Sequence, residues 1–507
     1  MGVKVTAVLG LGFGDEGKGT LVDWLTRRCS APPMIVRWNG GPQAAHHVVT
    51  DDGRLHCFAQ LGSGSFVDGV RTHHGPGMIV DPYALHVEAA ALARVGVPDV
   101  LSRLTIDPRA LLVTPWHAIV NQVRELLRGE KKHGSTGRGV VEAKLGATRL
   151  TASNLLDRGL SDAVERLRAE LAKTAHGLVE AHPSPPVAAR ELASRAEDRD
   201  LVDAFIEACR ELGPSGVTMT STPVWSDEVI LEGAQGALLD HEHGFVPHVT
   251  PSSITRKAAA AAARDLGLSG TLKTWGVLRA FHTRHGAGPF PSENASLQAA
   301  LPEPHNPSGV AGTFRVGWFD GVLARWALEV AGPIDRLAVT CLDRIEPLAQ
   351  RAVVDAWRVN GERVTDLGGI PMSERTGSAL VAVPELRWVR SGESYVGAIE
   401  GIVGRRVDVT SWGMVASDKR EGAAHPRVTS AACEWPRAYP PPSRPCSVGR
   451  QRKPSRALSP GFERMGSGAA AEVDSTPPAR THGYVSWDCP MQPARASLVR
   501  ADARLLP

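Results

Sequence analysis

Gly10-Leu11-Gly12-Phe13-Gly14-Asp15-Glu16-Gly17-Lys18-Gly19-Thr20 is the stretch on which the fold turns. From Gly12 it spells GxxxxGK, directly after the apolar run Val3–Leu9 and before a helical pattern over Thr20–Arg28. Strand, glycine turn and helix in that order make a phosphate cradle. Glycines let backbone N–H groups approach phosphate oxygens, and the helix N-terminus adds a favourable dipole. Lys18 supplies a point charge for the phosphates. Gly19 stands where a common phosphate loop carries the Ser or Thr that holds Mg²⁺, so another oxygen must do so, and Asp15 is the available carboxylate. The plainer reading is a glycine-rich turn with Asp15 as helix N-cap.

Outward from the loop, short apolar runs alternate with helical stretches. Met34–Trp38, Val229–Leu231, Thr274–Leu278 and Arg336–Thr340 read as buried strands. Met78–Ala93 reads as a turn followed by a helix, and Leu111–Leu127 and most of Leu155–Leu212 read as helical, the last broken at His182-Pro183-Ser184-Pro185-Pro186. That alternation predicts an α/β domain, a mostly parallel central sheet flanked by helices.

The chain has 507 residues, 42% hydrophobic and 22% charged, values usual for a globular protein. No apolar run reaches the roughly 18–20 residues of a membrane helix, so no membrane partner is expected. Val3–Gly14 runs straight into Asp15 and Glu16 and reads as a strand, not a secretion signal. Seven cysteines without metal spacing suit a reducing compartment, and the cytoplasm is the expected location. The net charge of +3 is uneven: residues 421–507 carry 11 Arg and 1 Lys against 7 acids, which leaves −2 for residues 1–420. A near-neutral body gives no electrostatic case for nucleic acid. The same tail holds 13 of the 37 prolines and no sustained hydrophobic periodicity. Residues 1–420 are therefore expected to form the catalytic domain and 421–507 a disordered Pro/Arg/Ala-rich tail.

The text also resembles a known family. Gly14-Asp15-Glu16-Gly17-Lys18-Gly19 looks like the GDEGKG signature of adenylosuccinate synthetases, followed by Leu21-Val22-Asp23. The likeness continues in Val36-Arg37-Trp38-Asn39-Gly40-Gly41, Ser135-Thr136-Gly137-Arg138-Gly139 and Glu232-Gly233-Ala234-Gln235-Gly236-Ala237-Leu238-Leu239-Asp240. Pro247-His248-Val249-Thr250, Thr283-Arg284 with Gly288-Pro289-Phe290-Pro291, and Val316-Gly317-Trp318-Phe319-Asp320 extend it. Ordered matches over so much of the chain are far more specific than one phosphate loop.

The resemblance implies a phosphate-loop-type homodimer that uses GTP and Mg²⁺ to join the 6-oxo nucleotide IMP to aspartate. It places Asp15 as the base that takes the purine N1 proton and His46 as the histidine that steadies the transferring phosphates. Gly14, Glu16, Gly17, Lys18 and Gly19 fall at GTP, as do Asp343 of Thr340-Cys341-Leu342-Asp343 and Ser411 and Gly413 of the later loop. Gln43, Thr136, Gln235 and Thr250 fall at the purine monophosphate, with Arg149 the occupant for an arginine reaching across the dimer. Mg²⁺ falls to Asp15 and the Ala45 backbone carbonyl.

Several positions depart from the family's pattern. The arginine-rich loop that holds the amino acid is here Gly312-Thr313-Phe314-Arg315, which leaves Thr313 and Arg315 to bind it, with Arg279 or Arg284 as compensators. Cys341 replaces a lysine beside the guanine, and Pro42 and Gln43 replace His and Asn in the histidine loop. These changes keep two other readings open: a paralog with another amino acceptor or purine nucleotide, and a nucleotide-binding protein without catalysis.

Overall fold

The apolar run before the glycine loop forms strand β1 (Lys4–Gly10) in the computed structural model, which describes residues 2–303 and 312–422. β1 belongs to a ten-stranded sheet. The other members are β2 (Met34–Arg37), β3 (Arg71–His74), β4 (Leu104–Ile106), β5 (Thr218–Met219), β6 (Glu228–Gly236), β7 (Leu272–Arg279), β8 (Arg336–Thr340), β9 (Val409–Ser411) and β10 (Lys419–Glu421). The spatial order is β10-β9-β8-β7-β1-β6-β2-β3-β4-β5. Every neighbouring pair is parallel except the edge pair β9–β10. Strands β2 to β5 extend one side of β1, β7 to β10 extend the other, and β6 fills the gap between β1 and β2. The direction of winding thus reverses at β1, and such reversals are where open α/β sheets place ligands, beyond the strands' carboxyl ends.

Parallel strands covered on both faces read as continuous apolar text. Val5, Ala7 and Leu9 of β1 pack into one core while Val8 faces the other, with Leu21, Val22 and Trp24 of the following helix. That helix, α1, spans Lys18–Thr26 and starts earlier than its apolar pattern predicts. The helical region before Leu212 resolves into Leu160–Ala181, Val187–Ser194 and Arg199–Glu211, and the first break falls at the expected prolines. Leu111–Leu127 was expected to be one helix. Leu111 and Leu112 instead form a short strand, and the helix begins at Pro115, capped by Thr114; a capping Thr and a Pro at the first helical position fix that start.

Strand β3 escapes sequence patterning because it reads Arg-Thr-His-His. His73 and His74 are nevertheless buried, and burial pushes their pKa values down to about 4 and 3, so both rings are neutral. A second, smaller sheet of Phe319–Asp320, Ala352–Val359, Glu362–Val364 and Val383–Trp388 was likewise not anticipated. Among the described residues no helix is long and apolar enough to cross a membrane. Strand β10 runs to Glu421, one residue past the composition boundary. Residues 423–507, nearly all of the expected tail, lie outside the described residues.

Candidate active site

The glycine loop is held from within. Glu16 accepts the Gly14 N–H at 2.6 Å and the Lys18 ammonium at 2.9 Å, and Lys18 also donates to the Gly14 carbonyl at 2.7 Å. Both side chains are buried. Glu16 is thus a prop inside the loop, and what it offers a nucleotide is backbone. The N-cap of helix α1 is Gly17, with φ 86° and no side-chain cap, so Asp15 is not the N-cap and its carboxylate is spared for other work.

Gly19 explains the missing Ser or Thr. A Cβ there would lie 2.6 Å from the Cβ of His46. His46 starts a strand (His46–Val49) that pairs with Leu55–Phe58, and that hairpin packs directly on the start of α1. The expected histidine is therefore beside the loop, whereas Ala45 just before it is exposed.

His46 Nδ1 lies 2.5 Å from Glu232 on β6. Glu232 also accepts the Ser63 N–H at 3.0 Å and the Ser63 hydroxyl. Burial pushes the Glu232 carboxyl up, but Arg37 and the His46 and Ser63 contacts outweigh it and hold the pKa at about 2. Burial depresses His46 to about 4 against the pull of Glu232. The resting pair is an ionised carboxylate and a neutral imidazole with its proton on Nδ1. Glu232 was not among the expected site residues; an acid directly after the apolar run Val229–Leu231, fully buried within β6, was the available signal.

Asp15 is partly exposed. Its backbone carbonyl accepts from Arg279 at 3.2 Å, and Oδ2 lies 3.4 Å from His285 Nε2. Gln235, at φ 68° and next to last in β6, lies against Gly14, where a Cβ would lie 3.7 Å from the Gln235 Cα. Asp15, Lys18, His46 and Gln235 are thus gathered at the carboxyl edge of the central strands.

The other side chains expected at the monophosphate are spread more widely. Gln43 is half-buried, and its Oε1 is buried without a hydrogen-bond partner. Thr136 is exposed and Thr250 half-buried, and their loops are joined by a 3.0 Å hydrogen bond from His248 to the His133 carbonyl. Arg149 is exposed and donates to the Gly146 carbonyl.

On the other side of α1, Thr340 donates to the Glu16 carbonyl at 2.7 Å and Thr20 to the Met414 carbonyl at 3.1 Å. These bonds tie the segments bearing Asp343, Ser411 and Gly413 to the loop. Ser411 is buried and donates to the Gly413 carbonyl at 3.0 Å. Burial raises the Asp343 carboxyl, opposed chiefly by Arg344. Lys419, which sequence reading missed, is buried nearby and pushed down to about 8 by desolvation despite Asp418, Asp23 and Asp343.

In the amino-acid segment, Thr313 is exposed, and Phe314–Gly317 pairs antiparallel with His282–His285. Arg315 is engaged by Glu293 at 2.8 Å and the Gly288 carbonyl at 2.7 Å. Arg284 is buried, donates to the Ala287 and Pro289 carbonyls, and lies 4.2 Å over the Phe13 ring. Burial and Arg315 push its pKa down to about 9. Of the two expected compensators, Arg279 is the one beside Asp15.

Among the described residues no three His, Cys, Asp or Glu form a metal cluster. Mg²⁺ does not need one: it keeps several waters and binds through one or two carboxylates plus substrate phosphates. A partly exposed Asp15 next to a phosphate cradle fits that donor set.

A family model described as adenylosuccinate synthetase matches residues 7–385. The chain is 33% identical over 365 residues to the adenylosuccinate synthetase of Bordetella parapertussis, covering 71% of this chain and 81% of that relative. It is 34% identical over 375 residues to the enzyme of that name from Acidithiobacillus ferrooxidans, covering 71% and 82%. Among solved structures, the fully ligated adenylosuccinate synthetase from Plasmodium falciparum aligns with a TM-score of 0.63 at 21% identity, over 83% of this chain and 100% of that one. At that identity the structural match speaks for the fold.

Proposed function

The chain belongs to the adenylosuccinate synthetase family, and from that premise we propose how its residues carry out GTP-dependent ligation of IMP to aspartate. The products are adenylosuccinate, GDP and phosphate. The observation that carries the residue assignment is the packing of His46 onto Gly19, with Asp15 at the rim of the same loop.

A 6-oxopurine oxygen is a weak nucleophile until N1 loses its proton, and Asp15 is the carboxylate placed to accept it. The 6-oxygen then attacks the γ-phosphorus of GTP and GDP leaves. The amine of aspartate adds at C6, loses a proton and expels the 6-phosphoryl oxygen as phosphate. Lys18 and the backbone of Gly14, Glu16, Gly17 and Gly19 cradle the GTP phosphates, while Asp343, Ser411 and Gly413 hold the guanine. Gln43, Thr136, Gln235 and Thr250 hold the IMP, and Thr313 and Arg315 the aspartate. Glu232 fixes the His46 ring and, being ionised, lets Nε2 take up a proton when phosphate charge comes against it. When bound, Mg²⁺ neutralises charge on the transferring phosphates; Asp15 and the Ala45 carbonyl would hold it.

We further infer a homodimer acting in the cytoplasm, in which Arg149 serves the partner's site. Two large apolar side chains on either side of Arg149 in sequence, Leu145 and Leu156, are 67% and 70% exposed, as an interface would leave them in a single chain. Cys29, Cys57, Cys209 and Cys341 are free thiols, which suits a reducing compartment. Residues past Gly422 are read as an appendage dispensable for catalysis. The retained Asp15, His46 and Glu232 set speaks against a binder without chemistry.

The test is incubation of the purified protein with GTP, Mg²⁺, IMP and a panel of amino acids, with mass spectrometry of the nucleotides. Adenylosuccinate should form with aspartate and require GTP. Condensation with a different amino acid, or none, would overturn the assignment.

A further inference from the structure

Asp15 sits between Gly14 and Gly17 in a loop whose internal bonds run through Glu16 and Lys18, not through the Asp15 carboxylate. It does not cap α1 either. Two contacts reach it from one distant segment. Arg279, at the end of β7, holds the Asp15 carbonyl at 3.2 Å, and His285 brings Nε2 to 3.4 Å from Oδ2. Arg279 is itself anchored by Glu303. His285 is anchored by strand pairing with Phe314, whose ring meets the imidazole edge-on at 4.7 Å. The backbone of Asp15 is thus held by Arg279, and its carboxylate faces His285, six positions further on.

We propose that His285 is a positioning residue for Asp15. Its Nε2, 3.4 Å from Oδ2, is placed to steer that oxygen, hold the carboxylate rotamer and leave Oδ1 for the purine N1 proton. A lone carboxylate that must accept a proton from one direction needs a fixed rotamer, and the His285 contact supplies a constraint on it. Phe314, which fills part of the reduced arginine loop, is the support that keeps the imidazole in place. The proposal rests on the ligase reading of the site.

The experiment compares full-length wild type with His285→Leu and His285→Gln, whose amide N–H can stand where Nε2–H does. Loss of orientation without loss of binding should lower kcat of His285→Leu by about 10- to 100-fold, with KM for IMP and GTP within about twofold. His285→Gln should recover most of that rate, and melting temperatures should match. Should His285→Leu melt early, His285→Asn replaces it: its amide reaches the Nδ1 position only, and the same loss is expected. The proposal is overturned by wild-type turnover in His285→Leu, by a Gln variant as slow as Leu, or by a KM that rises in step with the lost kcat/KM. A wild-type protein that makes no adenylosuccinate overturns the ligase reading along with it. An active wild type indifferent to residue 285 overturns this proposal alone.

Discussion

Gly19 and His46 compete for one space: a Cβ built on Gly19 would lie 2.6 Å from the His46 Cβ and 3.1 Å from its Cα and carbonyl carbon. The phosphate loop and the histidine hairpin are therefore a single packed unit, and the glycine is what permits it. A hydroxyl at this position would gain a possible metal ligand and lose the histidine's seat.

Gly19→Ser should push the His46 strand away from α1. Overpacking of this kind typically destabilises by about 1–3 kcal/mol, and displacement of a catalytic group by an ångström can slow turnover by about 100-fold. Thermal melting and kcat measured together check this. A Gly19→Ser protein as stable and as active as wild type would show that the contact is loose.

Glu232→Gln tests the pairing that fixes His46. The amide keeps the shape but removes the charge that Arg37, His46 and Ser63 gather around. Changes to a charged group that orients a catalytic side chain commonly reduce activity by about 10- to 100-fold, so kcat should fall by that order while the KM for GTP changes little. Unaltered kcat in a folded variant would remove Glu232 from the account.

Acid sensitivity follows from histidines buried in the neutral form. Burial holds His46, His73, His117 and His282 at about 4 and His74 at about 3, below their ordinary 6.5. In two of them the ring accepts a backbone proton: Thr114 N–H donates to His117 and Asp320 N–H to His282. Between pH 6.5 and about 4 the unfolded chain binds protons that the folded chain refuses, so stability falls as pH drops through that window. Each group contributes up to roughly 1.4 kcal/mol per pH unit. Asp320, raised to about 6 by burial, works in the opposite sense below pH 6, and Glu232, held at about 2, matters only below its ordinary 4.5. Urea unfolding at pH 7.5, 6 and 5 should show a midpoint that declines steeply below pH 6.5. A midpoint constant from 7.5 to 5 would mean that these rings gain protons without penalty.

What was legible in the sequence, and what was not, follows from the range of each signal. The strand–glycine–helix unit around Gly12–Lys18 is local, and β1 and β6 announce themselves by short apolar stretches, Ala7–Leu9 and Val229–Leu231, of the kind that parallel burial demands. The start of α1 was misplaced because Gly17–Gly19 look like loop text, although Gly17 in a left-handed conformation is what launches the helix. β3 was invisible because its buried residues are His and Thr. The His46–Glu232 contact joins positions 186 residues apart, and no periodicity reports such a meeting. The shortage of arginines at Gly312–Arg315 was plain, but not that Arg315 is occupied by Glu293 or that His285 stands beside Asp15.

In the proposed reaction the 6-oxygen of IMP takes the γ-phosphoryl group of GTP and leaves as phosphate. IMP labelled with ¹⁸O at position 6 tests it in one measurement, the mass of the inorganic phosphate released with GTP, Mg²⁺ and aspartate present. The expected result is phosphate carrying the ¹⁸O, adenylosuccinate free of it, and neither product from Asp15→Asn. Unlabelled phosphate, with the ¹⁸O still on the nucleotide, would contradict it.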